Sequence, residues 1–108
     1  MKTEIGKKSA VICLAAGKSQ LPIILKAKLL GYKIIAIDKD KKAPGFRSAD
    51  LKIYSSTYNA DMIINKLKKF KSKFKFKGVL NRSSGLPVVT TAKICKYFKL
   101  PGYSIKSA

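Results

Sequence analysis

Histidine is absent from this chain, and only five of its 108 residues are acidic. The first absence removes the side chain most used for proton transfer near neutral pH and the commonest metal ligand. The second leaves Asp38, Asp40 and Asp50 too scattered to compose a metal site. No nucleophile–base pair can be assembled from what remains, so this chain is not expected to catalyse by itself. Cysteine is scarce as well. Cys13 falls in a strand-like run and Cys95 in a helical one, with no metal-type spacing, so both read as buried, reduced thiols of a cytoplasmic protein. No apolar run approaches the roughly 18 residues of a membrane-spanning helix. Lys2, Lys7 and Lys8 ahead of an apolar run ending Ala15-Ala16-Gly17 imitate a signal peptide. That run is short and leads straight into a helix that needs it as a packed strand.

Arginine is nearly missing too: Arg47 and Arg82 stand against a formal net charge of +19 that is otherwise built from lysine. Such a charge invites nucleic acid, but readers of nucleic acid recruit arginine for bidentate contacts to phosphates and bases. Here lysine is spread over every helix and both ends, which points away from a specific nucleic-acid partner. The densest cluster is Lys66 to Lys77. Its apolar members Leu67, Phe70 and Phe74 fall at helical spacing, so they read as core and the lysines as a solvated rim. A polyanion-binding or membrane-surface use of that cluster is the competing reading.

What the chain does have is alternation of strand-like and helix-like segments, with 46% hydrophobic residues in a length that suits one domain, residues 1–108. Ala10 to Ala16 is an apolar run broken by Gly17-Lys18-Ser19-Gln20. Helical periodicity follows from Leu21 to Leu30, Gly31 stops it, and Lys33 to Ile37 ends on Asp38. A polar segment with a Pro44-Gly45 turn precedes a short alternating strand, Leu51 to Tyr54. Ser55 to Asn59 offers helix N-caps, and Ile63, Ile64, Leu67 and Phe70 mark the buried stripe of a second helix. Gly78-Val79-Leu80 is the core of a fourth strand, followed by Asn81 to Gly85. A third helix begins near Pro87, with either Val88, Ala92, Cys95 and Phe98 or Thr91, Ile94 and Phe98 facing inward.

This order requires an α/β fold: a small Rossmann-like, three-layer domain with a parallel sheet of about four strands and helices on both faces. With strand order 3-2-1-4, the first and fourth strands are neighbours at the topological switch point. The loops 16–20 and 81–85 then flank one crevice at the strands' carboxyl ends. Three chemistries compete for the first loop. A P-loop fails, because Ile12 stands where its first glycine belongs. The dinucleotide pattern G-x-G-x-x-G fails as well, with Ala15 and Gln20 at glycine positions. Asp38 sits where a ribose-binding acid would, so a small nucleotide- or NAD-binding Rossmann protein stays as an alternative. What survives is general: N–H groups at a helix start, beside Lys18, favour an anionic group of a ligand. Arg82, Ser83, Ser84 and Gly85 repeat that logic before the third helix.

Val11 to Pro22, Ala27 to Asp38, Ala43 to Phe46, Ala49-Asp50, Gly78 to Leu80, Arg82 to Gly85 and Leu100 to Gly102 together resemble the N-terminal domain of the ATP-grasp superfamily. The likeness extends over nearly the whole chain and points to carbamoyl-phosphate-synthase-like and biotin-carboxylase-like ligases. It implies a pre-ATP-grasp domain preceding two domains that clamp ATP and magnesium and activate a carboxylate for transfer to an amine or related nucleophile. Gly17, Lys18, Ser19, Gln20, Arg82, Ser83, Ser84 and Gly85 would then line the small-molecule acceptor pocket. Asp38 would bind ribose or hold the turn after it. The first loop reads Ala-Ala-Gly where the family has Gly-Ala-Gly or Gly-Gly-Gly. Nothing that grips ATP or magnesium follows Ala108, so neither is expected to bind here. The chain reads as a fragment, or a split subunit, whose partner is the missing ATP-grasp catalytic domain. A homodimer stays open.

Overall fold

A computed structural model describes residues 7–80 and 87–101. The strands β1 (Lys8–Leu14), β2 (Lys33–Asp38), β3 (Leu51–Tyr54) and β4 (Phe74–Leu80) form one parallel sheet in the order β3-β2-β1-β4. The helices α1 (Leu21–Leu29), α2 (Ala60–Lys68) and α3 (Pro87–Phe98) connect or follow them. The expected fold class and strand order are both present. The apolar run begins earlier than expected, at Lys8, and ends at Leu14, because Ala15 turns the chain with a φ of 87°.

Side-chain alternation builds a core on each face of the sheet. Ala10, Ile12 and Leu14 of β1 and Ile35 and Ile37 of β2 pack with Ile63 and Leu67 of α2 and Ile94 and Cys95 of α3. Val11, Cys13, Ile34 and Ala36 point the other way, onto Ile24 and Ala27 of α1 and onto Ala43 and Phe46. One helix therefore covers one face and two cover the other.

β4 keeps its apolar residues inward only with the help of a bulge. Phe76 pairs with Ala10 and Gly78 with Val11, so Lys77 is an extra residue in the strand. The insertion shifts the alternation by one, so Val79, and not Gly78, joins Phe74 and Phe76 on the α2–α3 side. Phe76 meets the Phe98 ring edge to face, with centroids 5.1 Å apart.

Two expectations about helices change. α2 ends at Lys68, so Phe74 is not its next turn but the first residue of β4, and its burial is a strand's burial. Chain direction reverses between them, which a purely helical reading of the Lys66–Lys77 cluster overlooks. In α3 the second inward grouping holds. Thr91, Ile94 and Cys95 are buried and Phe98 is half-buried, while Val88 and Ala92 are exposed. Exposed Lys68, Lys69, Lys71, Lys73, Lys75 and Lys77 rim this region as a solvated face. Among the described residues no helix is long and apolar enough to cross a membrane.

Candidate functional site

The first loop begins where β1 stops, and its backbone is held from two sides. Ala15 N–H donates to the Ile37 carbonyl at 2.7 Å. The Ala16 N–H donates to Asp38 Oδ2 at 2.9 Å, and the Ala16 carbonyl accepts from Gly45 N–H at 2.7 Å. Asp38 Oδ1 accepts from the Asp40 N–H, also at 2.9 Å. Both carboxylate oxygens thus serve backbone donors, one across the loop and one in the turn that follows β2. Asp40 repeats the device for the Lys42 N–H, and Asp50 receives the Ile34 N–H at the other end of β2. Three of the few acids in the chain are spent on backbone geometry.

Gly45 is the residue whose importance the sequence concealed. A side chain there would meet the Ala16 carbonyl oxygen at 2.7 Å and Ile24 Cδ1 at 2.8 Å. The 3₁₀ turn Pro44–Ser48 therefore presses directly on the first loop, with Phe46 buried beneath it and stacked edge-on against Tyr54. The Pro-Gly pair identified a turn but carried no sign of what the turn packs against.

Beyond Ala16 the loop opens. Gly17 is half-buried in extended backbone, φ −72° and ψ −179°, and a Cβ added there would meet nothing within 4 Å. Lys18 to Gln20 form a 3₁₀ turn that leads into α1, with Pro22 in the first turn of the helix. Lys18 and Ser19 are exposed, whereas Gln20 is 2% exposed. The structure thus brings Gly17, Lys18 and Ser19 to an open surface and turns Gln20 inward. The first-turn N–H groups and the Lys18 ammonium give that surface a positive character. β4 ends at Leu80 beside Cys13 of β1, close to where the first loop begins. Arg82, Ser83, Ser84 and Gly85 lie outside the described residues.

Among the described residues no three of histidine, cysteine, aspartate and glutamate come together, so they do not fit a magnesium ion. The thiols do not fit nucleophiles either. Burial pushes Cys13 up to about 12 and raises Cys95 as well, which keeps both protonated at neutral pH.

Models of known protein families match no part of this chain. Individual proteins do. Over 71 residues, 66% of the chain, it is 31% identical to a formate-dependent phosphoribosylglycinamide formyltransferase of Prochlorococcus marinus. The solved phosphoribosylglycinamide synthetase of Anaerococcus prevotii superposes on 93% of the chain with a TM-score of 0.75 at 27% identity. The chain resembles the N-terminal, pre-ATP-grasp domain of ATP-grasp ligases. The chain spans 18% of the length of that formyltransferase and 25% of that of the synthetase. The N5-carboxyaminoimidazole ribonucleotide synthetase of Thermotoga maritima shares its fold, over 83% of the domain with a TM-score of 0.62 at 20% identity.

Proposed function

We propose that this pre-ATP-grasp domain forms the acceptor side of an ATP-dependent carboxylate–amine ligase and does not catalyse alone. The observation that carries the reading is the first loop: pinned at Ala16 by Asp38 and Gly45, open and unobstructed at Gly17. A rigid backbone with free space above it and cationic character beside it suits a substrate held still for chemistry supplied from elsewhere. The scarcity of acids and the lack of histidine leave this chain little with which to perform that chemistry. The names of the relatives narrow the class. One transfers formyl in a formate-dependent way onto phosphoribosylglycinamide and another makes phosphoribosylglycinamide. The acceptor class proposed here is therefore a small amine carried on a phosphoribosyl group. ATP and magnesium, in this reading, belong to an ATP-grasp part that the domain abuts, in one chain or as a separate subunit.

Titration of the chain with phosphoribosylglycinamide, followed by the backbone amide signals, is expected to shift Gly17, Lys18 and Ser19 at millimolar concentrations. Gly17→Val should remove that response without loss of stability, because the added side chain enters open space. ATP with magnesium should show no micromolar affinity for the isolated chain by calorimetry. Tight ATP binding would overturn the proposal, as would an acceptor response that ignores Gly17→Val.

A further inference from the structure

α1 is the one described helix on its face of the sheet, and it leaves that face incompletely covered. A groove of about 160 Å³ runs between α1 and the β1–β4 margin, lined by Val11, Ile23, Ala27, Leu30, Tyr32 and Leu80. A ridge stands beside it. Leu25 and Leu29, four residues apart and so on one side of the helix, are 47% and 85% exposed. Leu30, which joins ridge to groove, is 67% exposed. Together the three present the surface of about two whole leucines to solvent. Scattered apolar side chains on a surface are ordinary, but a contiguous ridge and groove marks a contact with another molecule.

Charge and shape together choose that molecule. Lys26 is the only charged residue that lines the groove. Lys28, the neighbour of Leu29, is drawn to the far flank of α1, where its ammonium donates to the Ser48 carbonyl at 3.1 Å. An acidic partner would be attracted instead to the exposed lysines of α2, β4 and α3, and would gain least here. Two copies of this chain have the opposite preference. Each carries +19, so they meet with least repulsion through the surface that bears the fewest cations. The shape suits such a pair, because a two-fold axis brings the same patch of each copy together. The ridge of one copy then enters the groove of the other, and the reverse. Size agrees as well: an apolar space of roughly 150 Å³ stays dry and accepts a group as large as benzene, so a leucine side chain fits.

We propose that α1 and the groove beside it form the interface of a two-fold symmetric homodimer, with Leu29 of each copy seated in the groove of the other. The apolar surface involved is small, so the dissociation constant is expected on the order of 10⁻⁴ M. The pairing uses none of Gly17, Lys18 and Ser19 and does not rest on the ligase reading, so either can fail while the other stands.

Sedimentation equilibrium of the chain between about 10 μM and 1 mM, a range that brackets the expected constant, tests this at low and at high sodium chloride. A monomer–dimer equilibrium that stops at two copies is expected. It should strengthen as salt rises, because screening removes the repulsion between like-charged copies while the apolar contact stays. Leu29→Gln and Leu25→Gln should each weaken the dimer at least about fivefold, a modest estimate for losing a buried leucine. Val89→Gln, on the exposed side of α3, should leave it unchanged. Amide signals of Ile23 to Tyr32 are expected to shift with protein concentration. A chain that stays monomeric at about 1 mM in both salts would overturn the proposal and leave the face to a different protein. Growth past the dimer, association that weakens with salt, or a dimer indifferent to both leucine variants would overturn it equally.

Discussion

Ala15 sits at φ 87°, a conformation that glycine adopts freely and an L-residue adopts only under strain. It occupies the place where the resemblance leads one to expect glycine, so the backbone shape has been kept while the residue suited to it has not. Ala15→Gly is therefore expected to stabilise the domain by roughly 0.5–1 kcal/mol, the relief of left-handed strain less the entropic cost of glycine, read from the urea midpoint. Asp38 makes the opposite case. Its two oxygens fasten Ala16 and Asp40, and Asp38→Asn leaves one of those donors facing an amide. A loss of about 1–2 kcal/mol is expected on the same measurement. An unchanged midpoint would mean that the acid does not hold the turn. Cys13 adds a pH dependence. Its folded value of about 12 lies above the ordinary 9.0, so the folded state keeps a proton that the unfolded state gives up. The contribution is complete below pH 9 and is lost as pH rises toward 12. Cys13→Ala should flatten the alkaline fall in stability over that window.

At the scale of elements, β4 shows how one inserted residue decides which side chains reach the core. Lys77 is the extra residue opposite Ala10–Val11, and it brings Val79 to the α2–α3 face. Deleting Lys77 would remove the bulge and leave Phe76, Gly78 and Val79 opposite Ala10, Val11 and Ile12 in unbroken register, with Val79 still on that face. The urea midpoint is therefore expected to move by less than about 0.5 kcal/mol equivalent, and a large loss would show that the bulge itself stabilises the strand. The helix ends illustrate a second theme. α1 closes on Gly31 at φ 95°, a stop that was legible in the sequence, whereas α3 closes on Lys99 at φ 58°, a non-glycine that gave no such signal. The inward face of α3 was legible only as two alternatives. Threonine at positions 90 and 91 blurs a pattern that apolar residues alone would have made plain.

The whole molecule carries its imbalance on the surface. α1 exposes Leu25, Leu29 and Leu30, the second of them 85% exposed, although its inner side packs Ile24 and Ala27 against the sheet. Leu29→Gln is expected to leave the unfolding free energy within about 0.5 kcal/mol while reducing self-association in sedimentation measurements at high concentration. A drop in stability instead would show that Leu29 belongs to the folded core. The lysines, by contrast, are a distributed coat. Lys68 lies over the Tyr97 ring at 5.8 Å and Lys41 over Tyr54 at 5.3 Å, contacts that use aliphatic reach and charge together without gathering the cations into one place.

The sequence by itself determined the α/β class and the position of the first loop at the carboxyl end of β1, while the strand order entered only as a supposition that the structure then bore out. Those follow from short-range periodicity and from the handedness of parallel crossovers, both of which are local. It also located Gly17, Lys18 and Ser19 on that loop, because a glycine break between strand and helix is a local signal. Tertiary structure decided what the loop rests on. Gly45 meets Ala16 and Asp38 reaches back to it only once β1, β2 and the turn after β2 are assembled, and no spacing encodes that approach. It likewise turned Gln20 inward and buried Thr90 near the start of α3. Burial of a polar group depends on every element packed around it, which a pattern along one segment does not contain.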